Sequence, residues 1–172
     1  MTDPMGALVS GAVEQSAHIE APLGTVWRAF SQLEFRDRWF TMPGERHTRT
    51  HQLDFRIGGE EVTRGVFDNV GTIENLEHRT RFVDIVEGQR ISSFYEFRIN
   101  DVLKFVAILS VRFHEVETVT AVGGTMVSYT EQYQFFDVLG DGSAERGERE
   151  GGTRFYLRRL AIAVETEQSA EQ

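Results

Sequence analysis

The sequence predicts an α+β fold in which a curved antiparallel β-sheet wraps a long C-terminal α-helix, with short N-terminal helices ahead of the sheet. Three observations predict it. The stretch from Gly123 to Phe136 alternates: Val127, Tyr129, Glu131, Tyr133 and Phe135 share one side, and Met126, Ser128, Thr130, Gln132 and Gln134 the other. That is the period of a half-buried strand. Several alternating runs precede it, separated by short turn signals, which favours antiparallel pairing over crossovers. One helical pattern, Leu157, Leu160, Ala161 and Val164, closes the chain and is the natural cover for the sheet's apolar face.

Taken in order, residues 1–16 are small and polar and predict a flexible N-terminal arm, with a short edge strand at His18–Glu20. Pro22 suits a first helical turn, and Leu23, Val26, Trp27, Phe30 and Leu33 follow at helical spacing. A second short helical piece runs from Glu34 to Phe40. Leu53, Phe55 and Ile57 then alternate up to the Gly58-Gly59 turn, and Glu60 to Phe67 returns. Strands follow over 79–86, 91–99, 105–115 and 118–136, the last interrupted by a hairpin turn at Gly123-Gly124. The final helix has two candidate starts. Beginning near Ser143 it contains Gly147, Gly151 and Gly152, each costing roughly 1 kcal/mol against alanine. Beginning at Thr153 it avoids them. The longer helix would leave room for a ligand beneath its small residues. Residues 167–172 read as a frayed tail, so the folded domain is predicted to span 17–166.

Composition narrows the function. A chain of 172 residues is one domain by length, with 40% hydrophobic and 26% charged residues. A net charge of −9 opposes both a nucleic-acid partner and an anionic membrane surface. The absence of cysteine removes disulfides, thiolate catalysis and thiolate metal sites, and fits a cytoplasmic protein. Neither a secretory signal nor a membrane-spanning run is evident in the sequence. No nucleophile elbow, phosphate loop or dinucleotide fingerprint is present, and no cofactor is predicted.

A set of marks in fixed order carries a family resemblance: Ala21-Pro22 with Val26-Trp27 and Ala29-Phe30, then Arg38-Trp39-Phe40, then Leu53 through Glu60. Asp84-Ile85-Val86 with Arg90-Ile91, Tyr95-Glu96-Phe97, Gly123-Gly124-Thr125 leading to Thr130-Glu131-Gln132, and Arg149-Glu150 with Gly152-Thr153, Leu157 and Leu160 complete it. Together these resemble the bacterial branch of the SRPBCC (START-like) superfamily, and within it the homologues of the heat-shock-protein-90 ATPase activator C-terminal domain. The resemblance implies a helix-grip fold with a hydrophobic cavity between sheet and C-terminal helix. The family name adds a stress-response association. It implies no single activity, because the fold hosts lipid carriers, cyclases, antibiotic-sequestering proteins and chaperone regulators. Residues 118–122 and 137–152 look irregular for the family, which makes the cavity mouth its least transferable part.

Glu131 leads the candidate site residues. A carboxylate among Tyr129, Tyr133 and Phe135 is a general base, a hook for a polar ligand group, an acid satisfied by Tyr or Arg side chains, or a residue at a wet mouth. His78 shares a strand face with Thr80 and Phe82; it reads first as a solvent-facing histidine near a turn, and as a weaker candidate to join Glu131 as an acid–base pair in the cavity. Trp39, Tyr95, Phe97, Phe113, Tyr129 and Tyr133 are the aromatic pocket candidates, with plain core packing the competing reading for all of them and the preferred one for Phe97 and Phe113. His47 and His51, roughly 13 Å apart along a strand, cannot share a metal and read as surface or loop histidines; no metal site is predicted. Glu61 and Arg64, after the Gly58-Gly59 turn, are placed either near the cavity mouth or, the preferred reading, in a surface pair.

The leading functional expectation is binding or sequestration of a small hydrophobic molecule, aromatic or lipid-like. A cyclase- or dehydratase-like enzyme with Glu131 as base is the second, and a chaperone-modulating interaction protein, with a filled interior and an exposed apolar patch, the third. Dimerisation through sheet edges or the N-terminal arm is left open.

Overall fold

A computed structural model describes residues 6–117 and 123–170. The elements are β1 (Ala7–Ile19), α1 (Leu23–Ser31), α2 (Leu33–Trp39), a 3-10 turn (Arg46–Thr48), β2 (Thr50–Leu53), β3 (Glu60–Asn69), β4 (Thr72–Val86), β5 (Arg90–Ile99), β6 (Val102–Val116), β7 (Gly124–Val138) and α3 (Ser143–Ala170). The seven strands form one antiparallel sheet in the order β1-β7-β6-β5-β4-β3-β2. This is a helix-grip architecture: β2 to β7 form a meander, β1 adds to its far edge, and α3 packs along β1 and against α1 and α2.

The alternation that predicts β7 is the burial pattern observed. Val127, Tyr129, Glu131, Tyr133 and Phe135 are all buried, and the intervening residues are not. Three cross-strand rows carry this face across the sheet. One runs Glu61, Thr80, Tyr95, Ala107, Tyr133, Gly11. On one side lies Thr63, His78, Phe97, Phe105, Phe135, Val9, and on the other Phe82, Ser93, Leu109, Glu131, Val13.

The N-terminal region corrects its prediction. From Ala7 onward the expected arm is a thirteen-residue edge strand paired with β7. Small residues signal looseness in a sequence, but here they answer a close approach. A Cβ on Gly11 would sit 2.4 Å from the Tyr133 hydroxyl, whose ring lies across β1. At the other end α3 is helical to Ala170, so the tail expected from 167 is largely helix. α3 takes the earlier of its two predicted starts. The alternation over Leu53, Phe55 and Ile57 also overstates the strand: β2 stops at Leu53, and Phe55 turns in to pack edge-on against Trp27 and Phe82. The predicted segment 118–122 lies outside the described residues.

Gln32, with an extended backbone, separates α1 from α2. Trp39 at the end of α2 is fully buried and donates from Nε1 to the Ala29 carbonyl at 2.8 Å, closing the two helices on each other. Two apolar clusters result. One gathers Ile19, Val26, Phe30, Trp39, Phe113, Leu160 and Val164 at the α1/α3 end. The other holds Val13, Tyr95, Phe105, Tyr133, Phe135 and Val138 on the sheet. Buried residues of α3 begin only at Thr153; before that, Gln15 reaches the Glu150 carbonyl at 3.0 Å and Arg149 reaches down to the sheet.

Candidate functional site

Between the sheet's concave face and the first half of α3 lies a cavity of about 610 Å³. That is ligand-sized. Its floor takes residues from all three rows, including Thr80, Phe82, Ser93, Tyr95, Phe97, Phe105, Leu109, Glu131 and Phe135. Phe30 and Phe40 close the helical side, and Gly152, Thr153 and Tyr156 of α3 form the roof. Gly152 opens this roof, because the nearest atom to a Cβ there is the Arg149 guanidinium at 3.6 Å. The mouth is bordered by Thr41–Gly44, Arg49, Glu148, Phe155 and Arg159.

Glu131 points into this space but is not free. Arg149 donates from Nε to Oε1 at 2.8 Å and from Nη2 to Oε2 at 2.9 Å, a bidentate fork, and Nη2 also donates to the Tyr95 hydroxyl at 2.8 Å. The guanidinium lies 4.9 Å from the Phe105 ring centre. Burial pulls the Arg149 pKa down, but Tyr95 and Glu131 outweigh it and hold the group firmly charged. Of the sequence readings of Glu131, the satisfied acid is the one seen. The pair ties α3 to β7 across the hollow.

His78 lines the same cavity, one row away from Tyr95 and two from Glu131. Its imidazole stacks on Tyr95 with ring centres 4.5 Å apart and meets the Phe40 ring edge-on at 5.1 Å. Nδ1 has only Thr80 Oγ1, at 3.4 Å. Burial, followed by the opposing charges of Glu61 and Arg149, leaves its pKa near 3, so the ring is neutral at physiological pH. Tyr95 and Tyr129 are both shifted upward by burial, Tyr129 to about 12, so both hydroxyls keep their protons. The site therefore offers apolar walls, a neutral imidazole and phenolic hydroxyls.

A second buried ion pair flanks the cavity. Arg36 of α2 donates from Nε and Nη2 to the two oxygens of Glu61 at 2.7 and 2.9 Å. His51 Nε2 contacts Glu61 Oε1 at 2.9 Å, and its Nδ1 contacts Asp37 Oδ1 at 3.1 Å. The guanidinium packs over Trp39 and Phe40 at 4.3 and 4.2 Å. Burial pushes the Glu61 carboxyl up, but Arg36 and His51 prevail and hold it near 2. Among the described residues Arg36 Nη1 has no hydrogen-bond partner.

Two sequence expectations are thereby corrected. Glu61 is fully buried rather than half of a surface pair, and Arg64 pairs instead with Glu77 at 2.6 Å. His51 has a buried side chain, whereas His47 is exposed as predicted. A signal for Glu61 was available: it alternates with Thr63 on the face that pairs with Thr80 and His78. Of the site candidates, Tyr95, Phe97, Tyr129, Glu131 and His78 line the cavity, which corrects the core reading of Phe97 and the solvent-facing reading of His78. Trp39, Phe113 and Tyr133 pack in the core instead; Phe113 meets Trp27 and Phe30 edge-on. Arg36, Arg149 and Phe40 are lining residues that the sequence reading missed, because their partners lie far away in the chain. Among the described residues no group of three or more metal-ligating side chains converges, and no helix is long and apolar enough to cross a membrane.

The comparisons with known proteins agree with this geometry. A protein from Rhizobium leguminosarum superposes with a TM-score of 0.76 at 29% identity, covering 93% of this chain and 97% of that one. A Rhizobium loti protein gives 0.71 at 29% identity over 91% and 99% of the two chains. A Chromobacterium violaceum protein shares the fold at 0.60 and 21% identity, over 90% and 97%. No curated protein matches. The family model described as activator of Hsp90 ATPase homolog 1-like protein matches residues 20–165. The marked strands, the helix-grip topology and that match place this chain in the activator of Hsp90 ATPase homolog 1-like family of START-like proteins.

Proposed function

We propose that the chain binds or sequesters a small hydrophobic molecule, aromatic or lipid-like, in the cavity between the sheet and α3. The observation that carries this reading is the open interior: about 610 Å³ walled mainly by aromatic and aliphatic side chains, with a few polar groups converging on it. A protein that worked only through its outer surface would have no reason to leave that volume unfilled, since each void forfeits packing energy. This argues against the chaperone-modulating reading that the family's description invites. The cysteine-free composition supports a cytoplasmic setting.

The enzymatic alternative loses its base. Both oxygens of Glu131 accept from Arg149, which disfavours proton abstraction by that carboxylate. The remaining proton-transfer candidate is His78, which contacts the cavity as a neutral imidazole able to accept a hydrogen bond from a bound hydroxyl, but a pKa near 3 makes it a much weaker base than a free histidine. Turnover would then depend on His78 and survive Glu131→Gln in a variant that still folds.

Native mass spectrometry of freshly purified protein tests the binding reading. The expected result is a one-to-one adduct, on the order of a few hundred daltons, released under activation. Apoprotein alone, together with no uptake of the neutral hydrophobe N-phenyl-1-naphthylamine, would overturn it.

A further inference from the structure

Four arginines line the cavity, and they are of two kinds. The inner two are locked to buried carboxylates: Arg36 to Glu61 and Arg149 to Glu131. The outer two, Arg49 and Arg159, have no carboxylate partner among the described residues. Arg159 donates to Thr41 Oγ1 and to the Arg38 carbonyl, both at 2.9 Å and both neutral. Arg49 makes no hydrogen bond or ion pair among those residues.

Both meet the same strip of the rim. Arg159 holds Thr41. A Cβ placed on Gly65 would meet the Pro43 carbonyl, Met42 and Arg49 Cγ at 2.8, 3.2 and 3.6 Å, so Arg49 lies beside residues 42 and 43. Thr41 and Pro43 are at most roughly 7 Å apart along the chain, within the reach of two long side chains. Among the described residues Glu148, exposed on α3, is the only carboxylate bordering the cavity besides Glu131, and it pairs with neither arginine. Behind this rim the interior charges are balanced and His78 is neutral. A chain of net charge −9 thus places two uncompensated guanidinium groups at the entrance of an oily hollow. Guanidinium is the side chain best suited to take an oxyanion there.

We propose that the cavity takes an amphipathic organic anion, with its apolar body inside and a carboxylate- or sulfonate-type head held at the rim by Arg49 and Arg159. The inference rests on the ligand-binding reading above, and its test separates the two. The probes are 1-anilinonaphthalene-8-sulfonate, an aromatic anion, and N-phenyl-1-naphthylamine, nearly the same aromatic body without the charge. Each is titrated by fluorescence into the folded protein and into Arg49→Gln, Arg49→Gln/Arg159→Gln and Glu148→Gln. Arg56→Gln, which does not line the cavity and pairs with Asp54, controls for net charge, and thermal melts confirm that each variant is folded.

The anionic probe is expected to bind more tightly than the neutral one and to weaken with added salt. It should lose roughly tenfold with Arg49→Gln and roughly a hundredfold with the double variant, while the neutral probe changes less than about twofold. Glu148→Gln should strengthen the anion. Arg49 carries no structural bond, so its single variant keeps the test decisive if loss of Arg159 loosens the rim. Equal affinities for both probes, with the anion unaffected by Arg49→Gln, would overturn the head site and leave the cavity reading standing. Failure of both probes to bind would remove the cavity reading itself.

Discussion

The two buried arginine–carboxylate forks are the same chemical device in different settings, and the difference separates the rigid part of this molecule from its working part. Arg36–Glu61 is enclosed: side-chain exposures are 10% and 0%, His51 and Asp37 extend the network, and aromatic rings cover the guanidinium. It fixes α2 to β3. Arg149–Glu131 is wetter on the arginine side, at 15% and 3%; beyond the fork, the guanidinium donates to the Tyr95 hydroxyl and faces the Phe105 ring, with no histidine or second acid extending the network among the described residues. It bridges α3 to β7 over a hollow rather than through packed side chains. A charge pair that replaces packing at the Arg149 position keeps the space beneath open; one embedded in packing at the Arg36 position does not.

That contrast predicts unequal costs when each fork is broken. Glu61→Ala leaves Arg36 charged and buried without a counter-ion, and urea unfolding should show a loss of about 3–5 kcal/mol. Arg149→Met should lose less, about 1–3 kcal/mol, because water in the cavity can reach Glu131. Adding Glu131→Gln to Arg149→Met should return part of that loss, whereas strictly additive losses would mean that the two side chains do not act as a pair.

Acid distinguishes the regions more finely. Glu61 titrates near 2 when folded against 4.5 when free, so its stabilisation is complete above about pH 4.5 and is lost as pH falls toward 2. His78 titrates near 3 when folded against 6.5 when free; its folded form binds fewer protons, so its contribution is complete above about pH 6.5 and fades as pH falls toward 3. Between pH 6.5 and 4.5 the cavity histidine acts before the buried glutamate does. The urea midpoint of His78→Gln should therefore vary less with pH in that window than the parent's, and identical slopes would contradict the buried, neutral assignment.

The smallest effect concerns the roof. Nothing lies within 4 Å of a Cβ at Gly147 or Gly151, so alanine at either position should stabilise α3 by roughly 0.5–1 kcal/mol without touching ligand affinity. A larger gain at the cost of binding would mean that flexibility in the first half of α3 is part of ligand entry.

Much of this architecture was legible in the residues. The alternation of Val127 through Phe135 gave β7 and its inward face, and Leu157, Leu160 and Val164 gave the gripping helix. β1 was hidden because Gly11 serves a close approach to Tyr133, which only the partner strand reveals. In the site, Tyr95, Tyr129 and Glu131 were readable as an aromatic wall with one acid. What Glu131 does was not, because Arg149 lies 18 residues away on another element and no periodicity links them. Trp39 illustrates the opposite error: a large aromatic near a helix end reads as well for a pocket as for a core, and here its buried Nε1–H bond to Ala29 makes it core.

Gly152 gives the most direct access to the central claim that the hollow beneath α3 is a binding site. Titration of N-phenyl-1-naphthylamine into the parent protein and into Gly152→Phe, with melting temperatures measured alongside, compares an open roof with a plugged one. The prediction is saturable one-to-one binding by the parent and at least a tenfold loss in a variant that melts no lower, on the order of the burial energy of an aromatic body denied its cavity. Equal binding by both proteins would place the ligand elsewhere and contradict the account.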